Sequence, residues 1–257
     1  MAEVILGLQA ITRDFDAFRA VDSVSVDIQR GSITGLIGPN GAGKTTLFNV
    51  LTGMLAPTAG RVELNGRDIT RLSPNALFGQ GLGRTFQIPR PFAKMSVLEN
   101  VMLAPLAQLG ERWFGPLLHA DKVAQQEVAI RDKAMEVLQF VTLDQLADHA
   151  AGQISGGQMK LLELARVLMG DPDLILLDEP AAGVNPTLTG VLIEKIEELN
   201  RRGKTFVIIE HDMDFVMQHC DPVIALAEGK VVFQGTPQEA QENPILLDAY
   251  LGAQIDE

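Results

Sequence analysis

Residues 38 to 46 read GPNGAGKTT, after the apolar run Ile33, Leu36, Ile37 and before an amphipathic run that begins at Leu47. The spacing predicts a strand, a glycine loop and a helix. Gly38, Gly41 and Gly43 let such a loop turn its backbone N–H groups inward, around Pro39, Asn40 and Ala42. The positive end of the following helix completes a concave site for a triphosphate. Lys44 brings a full charge to the β- and γ-phosphates, Thr45 a hydroxyl for Mg²⁺, and Thr46 a hydroxyl toward the α-phosphate. A plain helix-capping turn would account for Gly38 and Gly43 but leave the lysine and both hydroxyls unexplained.

Two further stretches carry chemistry. The apolar run Leu174 to Leu177 ends in Asp178-Glu179-Pro180, which puts two acids where a buried strand emerges. Adjacent strand residues face opposite ways, so the acids can divide the work. Asp178 suits Mg²⁺ through its water shell, and Glu179 suits polarising the water that attacks a γ-phosphate. Ser155-Gly156-Gly157-Gln158 precedes a helix over 159 to 169 that is apolar nearly all round except for Lys160, Glu163 and Arg166. Taken alone, this second glycine-rich helix start reads as a cap.

The elements that must hold these residues follow from patterning. Short alternating pieces between residues 3 and 30, such as Val4, Leu6, Leu8 and Val24, Val26, Ile28, predict antiparallel strands, and Asn65-Gly66 a hairpin turn. From Ser96, whose spacing to Glu99 is that of a capping box, the character turns helical. Asp121 to Phe140 repeats apolar residues at helical intervals through Val128, Met135 and Leu138. Segment 104–120 is apolar but broken by glycine and proline. After Asp173, strands and helices alternate again, which predicts parallel pairing, and Thr236-Pro237-Gln238-Glu239 opens a helical tail. The fold class expected is α/β.

Composition narrows the function classes. With 257 residues and 46% hydrophobic content, the chain can bury one large core. No apolar run reaches the ~18 residues of a membrane helix, and the N-terminus does not read as a secretory signal. A single cysteine, Cys220, excludes an internal disulfide, and the net charge of −12 argues against broad adhesion to nucleic acid. These features predict a cytoplasmic protein.

With ISGGQ (154–158) lying between GPNGAGKTT and Asp178-Glu179, the chain resembles the nucleotide-binding subunits of ABC transporters over essentially its whole length. The resemblance implies a P-loop NTPase with a RecA-like core, an antiparallel β subdomain and an inserted helical subdomain. It implies one ABC ATPase domain over 1–257, its core and β subdomain in 1–90 and 171–257, its helical subdomain in 91–170 and a C-terminal helical tail in 236–257. ATP and Mg²⁺ are the implied cofactors. Lys44, Glu179 and His211 are then catalytic, His211 as the switch histidine. Phe15, Val21 and the loop residues 38 to 46 bind ATP, with Phe15 stacking on adenine. Thr45, Gln87 and, through water, Asp178 serve the metal. Ser155, Gly156, Gly157 and Gln158 complete the ATP site of a second subunit. Asn185 stands where many members carry an aspartate.

The stretches RTFQIPRPFAKMSVLENV, SGGQMKLLELARVLM, DEPAAGVNP and FQGTPQEAQENPILLDAYLG resemble the larger ATPase subunit of branched-chain amino acid importers. This implies an ATPase that pairs with itself or a paralogue around two ATP molecules and drives integral membrane permease subunits from the inner face of the membrane. An external substrate-binding protein is then an indirect partner, and nucleic acid is none. A regulatory or assembly ATPase without a permease, and an importer of another amino acid or amide, remain open at this point. DNA-maintenance ATPases share the motifs but need long coiled coils or basic surfaces.

Overall fold

The computed structural model describes residues 3–85, 89–106, 108, 120–244 and 246. The chain divides into two compact units, one of Met1–Arg84, Asp173–Pro180 and Glu197–Glu257, the other of Thr85–Pro172 and Ala181–Ile196.

The first unit contains two sheets. In the antiparallel one, β1 (Val4–Phe15) and β2 (Phe18–Gln29) form a hairpin, with β4 (Ala59–Leu64) on the other side of β1 and β5 (Arg67–Asp68) at the edge. The sequence pattern suggested short pieces, yet each strand of the hairpin is 12 residues long. The alternation is broken because the register shifts between Leu8 and Ile11, and Ala10 and Ser23 adopt φ of 49° and 54°. Such irregularities flip the inward-facing parity without ending the strand.

The second sheet runs β10-β9-β3-β8-β7-β6, made of β3 (Ile33–Ile37), β6 (Leu82–Arg84), β7 (Leu174–Asp178), β8 (Thr205–Ile209), β9 (Val223–Ala227) and β10 (Lys230–Gly235). All neighbours are parallel except β10 against β9. β7 and β8 are buried at every position, as parallel strands covered on both faces are. Helix α1 (Lys44–Leu51) buries Leu47, Phe48, Val50 and Leu51 in a core continuous with Ile5, Leu6 and Ile11 of the antiparallel sheet and Leu36, Leu176 and Val207 of the parallel one. Phe48 is fully buried, worth ~1.5–3 kcal/mol against exposure. The short helices α2 (Pro74–Gly79), α7 (Met213–His219) and α8 (Pro237–Gln241) complete this unit among the described residues, and Ser73, Asp212 and Thr236 cap them.

The other unit is helical. α3 (Val97–Met102), α4 (Ala120–Phe140) and α5 (Gly156–Leu168) pack pairwise around Val97, Leu98, Val101, Ala134, Leu138 and Leu161. The capping box predicted at Ser96 is present, with the Ser96 N–H donating to Glu99 Oε2 at 2.7 Å. Val128 departs from expectation: it is 60% exposed, because the face α4 buries is the one carrying Val123, Ala134 and Leu138. Lys160 and Glu163, which read as a polar stripe on α5, are both buried. Helix α6 (Pro186–Arg201) begins in this unit and ends in the first. Gln87, nearly all of 107–119 and most of the tail after Pro244 lie outside the described residues.

Candidate nucleotide site

Ligands of open parallel sheets bind beyond the carboxyl ends of the strands. Three adjacent strands, β3, β8 and β7, end there in the residues singled out above. Gly38 follows β3, Glu179 follows β7, and His211 stands two residues after the end of β8.

Two glycines shape the loop. Gly38 has φ 147° and Gly43 φ 100°, and a Cβ would stand 2.2 Å from the Leu226 carbonyl oxygen at the first and 2.4 Å from that of Ala20 at the second. Backbone packs against both from β9 and β2, so no side chain fits. Gly43 is the N-cap of α1 and offers no side-chain cap, and no acidic residue stands in the first turn. Helix-start N–H groups left in this way suit an anion. The Lys44 ammonium is buried and donates to the carbonyls of Gly38 at 2.6 Å and Pro39 at 3.0 Å. Burial pushes its pKa below the ordinary lysine value, while the charges of Glu179 and then Asp178 push it back up.

The two acids diverge for a reason the strand pattern did not supply. Asp178 is the last residue of β7 and is 3% exposed. Glu179 has already left the strand: its backbone is left-handed, φ 48°, with its N–H donating to the Ile209 carbonyl at 2.9 Å. That turn, not the pleat, separates the carboxylates. Glu179 Oε1 lies 2.8 Å from His211 Nε2, so one imidazole nitrogen holds one carboxylate oxygen. His211 is the more open partner, with 41% of its side chain exposed against 17% for Glu179.

Phe15 ends β1 beside Asp16, whose φ is 50°, and is 40% exposed. The Arg13 guanidinium lies over its ring, 4.6 Å from the centroid, and donates to the Ala56 carbonyl at 2.9 Å. Val21 is 0% exposed, its side chain packed in the core. Ala42 is likewise buried, whereas Asn40, Gly41 and Thr45 are exposed and Pro39 and Thr46 half-buried.

In the helical unit, the cap reading of the second glycine segment is real. Ser155 Oγ accepts from the Gln158 N–H at 3.3 Å, and Gln158 Oε1 accepts from the Ser155 N–H at 2.8 Å. The two glycines differ. A Cβ on Gly157 would meet Leu188 Cδ1 at 2.6 Å and Val184 Cγ1 at 2.9 Å, whereas one on Gly156 would meet nothing within 4 Å. Gly157 is therefore explained by packing, and Gly156 is not. Asn185 Oδ1 accepts from the Leu188 N–H at 2.9 Å, which gives it a helix-capping task.

Sequence reading missed Arg84. It is buried against Asp178 at 2.9 Å, and no local pattern announces a partner so far along the chain.

Among the described residues, no group of three or more His, Cys, Asp or Glu is arranged to hold a metal ion. The sequence offers one hydroxyl directly after the loop lysine, Thr45, and one carboxylate at the end of β7, Asp178. Such a sparse set fits Mg²⁺, which takes one or two protein oxygens and completes its shell with water and phosphate.

A glycine loop with a buried lysine, followed by an acid pair and a histidine on neighbouring parallel strands, defines a nucleotide-hydrolysing P-loop cassette. The family model described as ABC transporter matches residues 21–182, and the chain belongs to that family, as an ATP-binding and ATP-hydrolysing cassette. It is 42% identical over 253 residues to the probable branched-chain amino acid transport ATP-binding protein LivG of Archaeoglobus fulgidus, spanning 98% of this chain and 97% of the relative. Among solved structures it is similar to an ABC transporter cassette in its ADP conformation, with TM-score 0.85, 38% identity and coverage of 97% and 99%. A more distant cassette, 25% identical with TM-score 0.75 and coverage of 91% and 99%, was solved as a dimer after hydrolysis with ADP and phosphate bound.

Proposed function

We propose that this cassette is the ATPase subunit of a branched-chain amino acid importer. It pairs with a second cassette, identical or paralogous, and drives membrane permease subunits that receive substrate from an external binding protein. It thereby works at the inner face of the membrane. No helix among the described residues is long and apolar enough to cross a membrane, and the membrane attachment falls to the permease. The near end-to-end match to LivG relatives supports the substrate class.

The observation that carries the chemistry is the Glu179–His211 pair at 2.8 Å just beyond the ends of β7 and β8, with β8 lying next to β3, the strand that feeds the phosphate loop. ATP is the substrate. Lys44 and the loop N–H groups hold its phosphates, and Phe15 stacks on the adenine through the ring face opposite Arg13. Glu179 accepts a proton from the attacking water, and His211 orients that carboxylate and contacts the γ-phosphate. Thr45, Asp178 through water, and Gln87 would hold Mg²⁺, which neutralises charge on the phosphates. Ser155 to Gln158 of each cassette close the site of the other, so that binding closes the pair and hydrolysis reopens it.

The test is reconstitution with the permease subunits and binding protein in vesicles. ATP inside should drive uptake of labelled leucine but not of a cationic amino acid. Uptake confined to another substrate class would overturn the import reading, and a purified chain that hydrolyses ATP yet never associates with a permease would point to a regulatory ATPase.

A further inference from the structure

Arg84 is the last residue of β6 and of the N-terminal segment of the first compact unit. Its side chain is 8% exposed and that of Asp178 is 4%. Nη2 donates to Asp178 Oδ2 at 2.9 Å, while Nη1 donates to Asn49 Oδ1 at 2.7 Å and Thr52 Oγ1 at 3.0 Å. The Thr52 hydroxyl donates in turn to the Phe48 carbonyl at 2.8 Å, so its oxygen is turned to receive Arg84. The guanidinium lies over Phe48 at 5.7 Å. A planar fork with separated donors satisfies these partners together, which a lysine cannot do.

A buried ion pair is poor value for stability alone, since apolar residues of equal volume serve as well. What this pair does is fix direction. Asn49 stands on α1 about one turn beyond Thr45, Thr52 caps the end of that helix, and Asp178 ends β7. Arg84 therefore ties the helix carrying one oxygen donor to the strand carrying the other, and it does so by gripping one named oxygen of the acid. With Oδ2 held by a buried guanidinium, the Asp178 carboxylate is restrained from rotating.

We propose that Arg84 is a positioning residue of the cation site, setting the Mg²⁺ dependence of nucleotide binding through its hold on Asp178. This rests on the nucleotide reading above, and the experiment separates the two. ADP binding, which involves no turnover, is measured by calorimetry in EDTA and across a Mg²⁺ titration for the wild type, Arg84→Gln, Arg84→Lys and Asn49→Ala. The wild type should bind ADP in EDTA and gain affinity with Mg²⁺; no gain would sink the metal reading itself and this inference with it. Arg84→Gln should keep the EDTA affinity and raise the Mg²⁺ concentration for half-saturation by about 10–100-fold, the usual cost of losing a group that orients a metal ligand. Arg84→Lys should do the same to a smaller degree, and Asn49→Ala, which spares the ion pair, least. Should Arg84→Gln fail to fold, the other two variants carry the test. A folded variant series with lowered melting temperature but an unmoved Mg²⁺ titration would make Arg84 purely structural and overturn the proposal.

Discussion

Replacing Glu179 by glutamine separates binding from chemistry. The amide has the shape of the carboxylate and still reaches His211 across the 2.8 Å contact. The left-handed turn that aims the side chain is made by the backbone, with the N–H held by Ile209, and is untouched. What is lost is a basic oxygen. Removing a positioned general base costs about 10²–10⁴-fold in rate, or ~2.7–5.4 kcal/mol at ~1.36 kcal/mol per decade. Affinity for ATP should hold or tighten. Glu179 is the leading charge that raises the Lys44 pKa against burial, so it stands close enough in the field to repel phosphate, and the amide removes that repulsion. With the closed state unable to reset, ATP should also accumulate a cassette dimer by mass action. Single-turnover hydrolysis, equilibrium ATP binding and gel filtration with ATP read the three outcomes. Hydrolysis within about threefold of wild type would refute the base assignment, because uniform losses in binding and rate have a different origin. A variant that binds ATP and stays monomeric with and without its paralogue would refute the shared site.

Two glycines in one motif should part company. Gly157→Ala pushes a methyl against Leu188 and Val184 and should cost about 1–3 kcal/mol of stability, read as a lower melting temperature. Gly156→Ala meets open space and should leave the melting temperature unchanged while lowering ATPase activity. Wild-type activity there would leave the segment as a cap alone. Cys220 is buried, and its thiol is pushed up to about 12 by burial first and the charge of Glu210 second. A folded pKa above the ordinary 9.0 means that the unfolded chain releases this proton first, so its contribution to stability is intact below pH 9.0 and is lost as pH rises toward about 12. At neutral pH the thiol should resist a thiol reagent until the protein is unfolded, and rapid labelling of native protein would contradict its burial.

The legible part of this protein was local. A phosphate loop is written in consecutive residues because its function is a backbone path: Gly38 and Gly43 are required by the carbonyls of Leu226 and Ala20, and a lysine and two hydroxyls must follow at fixed offsets. The buried parallel strands β7 and β8 were equally plain, since burial on both faces leaves continuous apolar runs. The β1–β2 hairpin was harder, because left-handed Ala10 and Ser23 break the alternation that marks a strand. Val21 shows a related limit of pattern: neighbourhood in sequence to an aromatic says nothing about which side of a sheet a side chain takes, and this one faces the core.

Arg84 shows where such reading stops. It lies in RTFQ, three residues before Gln87, and as a lone arginine in a short strand it carries no periodicity or spacing that predicts a role. Its meaning comes from a partner 94 positions later and from two more at 35 and 32 positions earlier, which only the order β8-β7-β6 and the packing of α1 bring together. The acid pair was visible because a strand end displays it, but the device that orients Asp178 is distributed over three elements. The residues that touch a nucleotide therefore form recognisable words in the chain. Those that hold the touching residues still are scattered through it, and substitution of Arg84 should separate the two by changing how Mg²⁺ is met while leaving the phosphate loop intact.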